Sequence, residues 1–188
     1  LQSGKMELEE EAYNIASTIE DLMTMFQALK ADKQIELIVD CDANIPNALF
    51  GDEKKLRRVI MNLVDNAIKF TEEGCVSICL GFRKESYGIN LQVTVKDTGI
   101  GIAEESLAKI WTGFHQVDSG STRSSSGVGL GLAISRALIR KMGGTMTMTS
   151  KQGKGTVVKF VVPQSVMSND VLASVHRKNQ VNAATYFD

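Results

Sequence analysis

Two asparagines and a lysine lie at helical spacing in a segment whose apolar residues share one helical face. Asn62, Asn66 and Lys69 are four and three residues apart, which places their side chains together on one face of a helix. Asparagine is a poor helix former, so two of them in mid-helix need an explanation. Amide oxygens bind Mg²⁺, which also binds substrate phosphates, and a lysine ammonium group neutralises a phosphate. The pattern therefore indicates a site for a metal–phosphate ligand, although a solvated helix edge would carry the same residues.

A second segment combines a carboxylate with two glycines directly after a strand-like run. Asp97 is followed by Gly99, Gly101 and Ile102 in the pattern Asp-x-Gly-x-Gly-Ile. A carboxylate at a strand end could accept a hydrogen bond from an exocyclic amine such as that of adenine, and glycines permit a close backbone approach to a ligand. An ordinary strand followed by an Asx turn is the alternative interpretation.

A third segment contains three alternating glycines immediately before a predicted helix. It consists of Gly127, Gly129, Leu130 and Gly131, with a Ser-rich loop before it. Backbone amides at a helix N-terminus form an anion site, whereas a flexible hinge would need the same glycines. The spacing differs from the Gly-x-Gly-x-x-Gly of dinucleotide-binding folds, and the Gly-Lys-Ser/Thr of a P-loop is absent from the sequence.

These segments must be positioned by a set of alternating helices and strands. Apolar periodicity predicts helices over residues 14–30, 52–70 and 130–142, with Asp52 as a helix cap, and a short helix over 104–110. Strands are predicted over residues 35–39, 76–82, 90–95, 145–149 and 156–162, and residues 42–51 are predicted to form a loop. Helices interleaved with paired strands indicate a mixed or antiparallel sheet covered by helices on one face.

Composition narrows the class of protein. The 188 residues fit one domain with short appendages, and 21 basic against 22 acidic residues give a net charge of −1. Such a balance provides no general attraction to nucleic acid or to an anionic membrane. Three cysteines without metal-ligand spacing indicate a reducing compartment, and neither a signal peptide nor an apolar run of membrane-spanning length is visible.

Taken in order, the segments resemble the conserved boxes of the histidine kinase catalytic domain, which belongs to the GHKL ATPase superfamily. The resemblance includes Phe114, covers roughly residues 14–163 and implies an α+β fold. That fold is a two-layer α/β sandwich, in which a mixed, mostly antiparallel sheet packs on three helices. The resemblance also implies that ATP and Mg²⁺ bind the domain.

The resemblance assigns a role to individual residues at each end of the nucleotide. It implies that Asp97 contacts the adenine amine, that Phe70 packs near the base and that Thr156 provides an adenine-side hydroxyl. Asn66 would be the main Mg²⁺ ligand, with Asn62 assisting. The remaining positions that it assigns to nucleotide binding include two cations, Lys69 and Arg123, which would contact phosphate, and the box residues Gly99, Gly101, Ile102, Gly127, Gly129, Leu130 and Gly131. Residues 115–128 match the family's ATP lid, in which Arg123 is the one cation.

Asn62 also separates two kinds of relative. ATP-hydrolysing members such as gyrase resemble this helix but carry a glutamate four residues before the metal-binding asparagine, as a general base for water. An amide in that position does not take a proton from water. The resemblance therefore favours phosphoryl transfer to a protein, with Asn62, Lys69 and Arg123 as the catalytic set. A GHKL-type hydrolase and a nucleotide-binding regulatory module without kinase activity are the alternatives.

The phosphoacceptor motif of the family does not occur in this sequence. The two histidines, His115 and His176, lack the acidic residue and Arg-Thr-Pro that follow the family's acceptor histidine. We therefore expect a catalytic domain over residues 12–166, the end of a preceding dimerisation or linker helix over 1–11, and a linker or tail over 167–188. The expected partners are a separate histidine-bearing dimerisation domain and a response regulator or receiver domain, with the fragment itself monomeric and cytoplasmic and without direct membrane contact.

Overall fold

The computed structural model describes residues 7–30, 33–112, 128–168 and 170–172. Within these ranges it contains seven strands and four helices. In chain order they are β1 (Glu11–Asn14), α1 (Ile15–Leu29), β2 (Gln34–Cys41), β3 (Ala48–Gly51), α2 (Glu53–Lys69), β4 (Glu73–Glu85), β5 (Gly88–Asp97), α3 (Glu104–Thr112), α4 (Val128–Lys141), β6 (Thr145–Lys151) and β7 (Gly155–Val166).

The strands form one mixed sheet in the order β1-β3-β7-β5-β4-β2, with β6 also paired to β7. Among the described strands, β2 and β4 form the one parallel pair, and the other pairs are antiparallel. The predicted hairpin is present, because β4 and β5 are joined by the two residues between Glu85 and Gly88. A mixed, mainly antiparallel sheet is the architecture that the resemblance implied.

The core lies between one face of this sheet and three helices. Alternate residues of β5 and β7 point into it, including Leu91, Val93 and Phe160, which are fully buried. α1, α2 and α4 contribute the opposite layer with their apolar faces, as periodicity predicted. The fourth helix, α3, is short and contacts β6. None of the four helices has the length and apolar composition that a bilayer crossing requires.

α2 carries the predicted metal–phosphate face, and polar groups hold it at both ends. The buried Asp52 caps its N-terminus by accepting a hydrogen bond from the backbone N–H of Lys55 at 3.0 Å. At the other end, the ammonium group of Lys33 donates to three carbonyls at 2.8, 3.1 and 3.1 Å, those of Ile68, Lys69 and Thr71. A cation at a helix C-terminus satisfies unpaired carbonyls and interacts favourably with the helix dipole.

The structure differs from the predicted elements at three places. Two short strands, β1 and β3, were missed. The predicted helix end over residues 1–11 is wrong where it is described, because residues 7–10 are not helical and β1 begins at Glu11. β3 lies within the predicted loop of residues 42–51. The last strand also continues through Pro163 to Val166. This is possible because Pro163 lies in the gap between two neighbouring strands: the register with β6 ends at Val161 and that with β3 begins at Ser165.

The chain beyond β7 packs on the domain as far as the structure describes it. Leu172 is 1% exposed, and its backbone N–H donates to the carbonyl of Ile45 at 2.7 Å. The carbonyl of Asp170 accepts from the N–H of Asn47 at 2.8 Å. These backbone contacts add a short bridge, Pro46 to Val171, to the edge of the fold. Residues 170–172 were predicted to be part of a linker or tail, and they are attached to the domain.

Candidate functional site

A largely apolar cavity of about 200 Å³ lies where α2, the end of β5 and the β6–β7 pair meet. Its described lining includes six of the residues selected from the sequence: Asn66, Phe70, Asp97, Gly101, Ile102 and Thr156. Apolar side chains complete it, namely Leu63, Ala67, Val95, Ile100, Ile110, Leu132, Met148 and Val158. Ile100 lines the cavity and is 61% exposed, which places it at the opening. An apolar cleft with a few polar groups is typical of a small-molecule site.

Asp97 is the buried carboxylate of this cavity, with 8% of its surface exposed. Its Oδ1 atom accepts hydrogen bonds from the backbone N–H of Gly99 at 2.9 Å and of Thr156 at 3.3 Å. Burial raises the pKa of Asp97, and these two hydrogen bonds partly oppose the shift. Both hydrogen bonds that the described residues donate to this carboxylate end on Oδ1. Oδ2 therefore remains as the acceptor that Asp97 offers to a ligand.

The Asx turn that was the alternative interpretation of the Asp97 segment is present, and it is compatible with a ligand-binding role of the carboxylate. The bond from Gly99 is an Asx turn, and it fixes the carboxylate in the cavity wall. The turn therefore presents one carboxylate oxygen to the cavity by occupying the other.

The glycines of this segment lie against other backbone segments of the protein. A Cβ atom added at Gly99 would lie 2.2 Å from the carbonyl oxygen of Phe70 and 2.8 Å from Oγ1 of Thr71. At Gly101, which has φ = +63°, a Cβ would lie 2.0 Å from the carbonyl oxygen of Lys151. The glycines thus permit close approach to the protein's own backbone, which holds the turn against α2 and the β6–β7 turn. Gly101 also lines the cavity, whereas Gly99 does not.

The three polar residues of α2 separate into different environments. Asn66 lines the cavity, whereas the amide nitrogen of Asn62 donates to Oγ of the fully buried Ser135 in α4 at 3.4 Å. Lys69 is exposed, and its Nζ atom lies 5.6 Å from the ring centroid of Phe70, within the range of a cation–π contact. Of the predicted face, Asn66 is therefore the residue in direct contact with the cavity, and Lys69 lies above a residue that lines it.

The third predicted segment is partly described. Gly129, Leu130 and Gly131 belong to the first turn of α4, and a Cβ added at Gly131 would meet no described atom within 4 Å. Arg123, Gly127, Phe114 and residues 115–127 of the predicted lid lie outside the described residues. Gly131 therefore has no packing reason to be glycine among the described residues, in contrast to Gly99.

Sequence reasoning missed two polar residues that hold the site together. Ser150 bonds to the backbone of Ile102 and Gly155 and to the hydroxyl of Thr156. Lys33 holds the end of α2 that carries Asn66 and Phe70, through the three carbonyls described above. Lys33 acts across 35 to 38 residues, so local patterns give no signal for it. For Ser150, the one available signal was its position next to the β6–β7 turn.

Comparison of the sequence with known proteins identifies a family and several relatives. Residues 51–166 match the family described as "Histidine kinase-, DNA gyrase B-, and HSP90-like ATPase". Signal transduction histidine-protein kinase BarA of Escherichia coli is 33% identical over 173 residues, which cover 92% of this chain and 19% of BarA. Hybrid signal transduction protein dokA of Dictyostelium discoideum is 37% identical over 193 residues, which cover 100% of this chain and 11% of dokA. The chain thus spans a fifth or less of these relatives.

Solved structures show the same architecture. Full-length ShkA in complex with AMPPNP superimposes with a TM-score of 0.70 and 29% identity over 87% of this chain and 33% of that chain. The catalytic domain of histidine kinase ThkA superimposes with a TM-score of 0.64 and 27% identity over 84% of this chain and 96% of that chain. The near-complete coverage of the ThkA catalytic domain indicates that the described sheet and helices form a comparable unit.

Proposed function

Because the chain belongs to the histidine kinase-, DNA gyrase B- and HSP90-like ATPase family, we propose that it is the ATP-binding catalytic domain of a sensor histidine kinase. It binds ATP with Mg²⁺ and transfers the γ-phosphoryl group to a histidine on a separate dimerisation domain. The observation that carries the proposal is the buried carboxylate of Asp97, held on one oxygen and open on the other, in an apolar cavity that also contains the amide of Asn66.

The Asp97 end of the cavity suits a purine base. The exocyclic amine of adenine would donate to Oδ2 of Asp97, and the ring would pack between apolar side chains such as Met148 and Ile110. Phe70 lines the same cavity as Asn66. A charge-assisted hydrogen bond in a water-poor pocket contributes more than the same bond in water, which makes Asp97 the main determinant of base recognition.

The other end of the cavity fits a magnesium ion that arrives with the nucleotide. The described residues contain no cluster of three or more His, Cys, Asp or Glu that could hold a metal ion. Mg²⁺ commonly binds through few protein ligands, several waters and substrate phosphates, and the amide oxygen of Asn66 is a suitable hard donor. When bound there, the ion would supply neutralisation of phosphate charge. Asn62 would act as an auxiliary ligand, and Lys69 and Arg123 would contact phosphate.

The lining of the cavity supports transfer over hydrolysis. Asp97 is the one carboxylate among the described lining residues, and it lies at the proposed base end. Asn62, at the position of a hydrolase's glutamate, is an amide whose nitrogen contacts Ser135. Apart from Asp97, no described lining residue has a side chain that can act as a general base towards water. The chain's residues therefore bind and orient the nucleotide, and the nucleophile comes from a partner protein.

The decisive experiment combines this chain with histidine-bearing dimerisation helices of a related kinase and γ-labelled ATP. We expect a labelled protein whose phosphate is lost in acid and retained in base. The matched control replaces the acceptor histidine of those helices by glutamine. ATP binding without any acid-labile product would favour the regulatory module, and steady ATP turnover by the chain alone would favour the hydrolase. A response regulator or receiver domain is the proposed final recipient.

Replacing Asp97 by asparagine should reverse the hydrogen-bond preference of the base end. The amide oxygen would keep the two backbone donors, Gly99 and Thr156, so the amide nitrogen would face the cavity as a donor. We expect ATP affinity to fall about 10- to 100-fold, because a hydrogen bond to a charged group is lost and a donor faces the adenine amine. Affinity for GTP, with a 6-oxo group, should fall less. Calorimetric titration with both nucleotides checks this.

The same substitution should stabilise the unliganded protein at neutral pH. The pKa of Asp97 is raised by burial, so the ionised carboxylate is disfavoured in the folded state. The melting temperature of D97N should exceed that of the parent at pH 7, and the difference should shrink as the pH falls through the raised pKa. The control is D65N, which removes the same charge from an exposed side chain on α2 and should leave the melting temperature nearly unchanged. An unchanged ATP-to-GTP affinity ratio in D97N would contradict the role assigned to Asp97.

A further inference from the structure

Ser150 contacts three polar groups at the point where β6 enters the turn to β7. Its Oγ atom lies 2.8 Å from the backbone nitrogen of Ile102, 3.0 Å from the carbonyl oxygen of Gly155 and 2.8 Å from Oγ1 of Thr156. Ile102 ends the turn that begins with Asp97, and Thr156 lines the same cavity as Asp97. Ser150 therefore connects two residues that line the cavity, Ile102 and Thr156, and also binds the carbonyl of Gly155.

The chemistry of these partners determines where each proton lies. A hydroxyl group donates one hydrogen bond and accepts two. The carbonyl of Gly155 only accepts, so it takes the proton of Ser150. The amide of Ile102 only donates and occupies one lone pair of Ser150. The second lone pair is left for Thr156, whose hydroxyl donates its proton to Ser150. All three contacts are satisfied in this arrangement, and any other assignment leaves one of them without a proton.

We infer that Ser150 is a positioning residue that makes the base end of the cavity accept hydrogen bonds only, so that the site selects a 6-amino purine over a 6-oxo purine. The inference rests on the proposed function, in which the cavity binds a nucleotide. With its proton directed to Ser150, Thr156 presents lone pairs to the cavity beside the free oxygen of Asp97. A 6-amino group brings two N–H donors to these acceptors, whereas the lone pairs of a 6-oxo group would oppose them.

The role of Ser150 differs from that of Asp97 in the reason why the group concerned is an acceptor. The carboxylate is an acceptor because it is ionised, whereas the hydroxyl of Thr156 can act either way and is an acceptor because Ser150 takes its proton. The backbone N–H of Thr156 donates to Asp97 at 3.3 Å, so the two acceptors are also held in one fixed arrangement. Removing Ser150 leaves Asp97 in place and allows the hydroxyl of Thr156 to rotate and donate into the cavity.

The test compares ADP with inosine diphosphate, which carry the same sugar and phosphates and differ in the base. Affinities are measured by calorimetry on the full chain. The parent should prefer ADP, and S150A should lower the ratio of the ADP to the inosine diphosphate association constant by about three- to tenfold, as expected for one hydrogen bond. S150T, which retains a hydroxyl, should restore most of the preference.

The outcomes are distinguishable from a purely structural effect. If S150A weakens both nucleotides equally and the ratio stays unchanged, the inference is overturned. Should S150A fail to fold, T156V replaces it, because this variant removes the hydroxyl and keeps the backbone bond to Asp97. An unchanged ratio in T156V would overturn the inference as well. A parent chain that binds neither nucleotide would overturn the proposed function, and the inference with it.

Discussion

Replacing Gly99 by alanine is expected to lower the stability of the domain by about 3 kcal/mol, at the upper end of the usual cost of overpacking. The added Cβ would lie 2.2 Å from the carbonyl oxygen of Phe70. That carbonyl is fixed, because it accepts a hydrogen bond from the N–H of Ile100 at 3.1 Å and belongs to the cap of α2. For a domain of this size, the change corresponds to a melting temperature lower by about 10 °C.

Gly131 gives a matched substitution with the opposite effect on stability. A Cβ added there meets no described atom within 4 Å, and Gly131 lies in the first turn of α4. Alanine should therefore stabilise the helix by about 0.5 kcal/mol, since glycine is the poorer helix former. If phosphates approach the N-terminus of α4, the same methyl group obstructs them, and ADP affinity should fall about tenfold while adenosine affinity stays unchanged.

Thermal unfolding followed by circular dichroism, together with nucleotide titration, separates the two glycines. G81A is the control, because Gly81 lies in β4 with no described atom within 4 Å of an added Cβ. A G99A protein that melts like the parent would show that the turn can move away from α2. A G131A protein that loses stability would show that Gly131 serves packing, and unchanged ADP affinity would remove it from the phosphate site.

Features that depend on neighbouring residues could be predicted from the sequence. The N-cap of α2 at Asp52, the apolar face of that helix and the Asx turn at Asp97 are each set by residues within a few positions. The glycines after Asp97 show the limit of such reasoning. Their positions indicated a special backbone, but the partners that require it, Phe70 and Lys151, are distant in sequence or belong to another element.

Features that depend on which elements become neighbours could not be predicted. The strand β3 has four residues and obtains its pairing from β1 and β7, at opposite ends of the chain. Helical spacing placed Asn62 and Asn66 together on one face of α2, beside its apolar stripe. It could not show that α4 packs against the arc of Asn62, because that choice depends on the packing of two helices remote in sequence.

Because Asn66 lines the cavity and Asn62 contacts α4, replacing each by alanine should affect nucleotide binding to a different extent. Replacing Asn66 by alanine should remove the magnesium-dependent part of ATP binding, a loss of about 100-fold or more, since changes that only disturb a metal ligand already cost 10- to 100-fold. Replacing Asn62 by alanine should cost about tenfold or less. It should also lower stability by about 1 kcal/mol, because the hydroxyl of the buried Ser135 loses a partner.

The comparison becomes specific when each variant is titrated with ATP in Mg²⁺, with ATP in EDTA, and with adenosine. N66A should bind ATP equally with and without Mg²⁺ and bind adenosine like the parent, because Asp97 and Thr156 at the base end are untouched. N62A should retain a Mg²⁺ response. If N62A loses that response and N66A keeps it, the side chain now in contact with Ser135 must turn towards the phosphates when the nucleotide binds. The metal-binding amide would then be Asn62, and the packing of α4 on α2 would have to change between the free and the bound state.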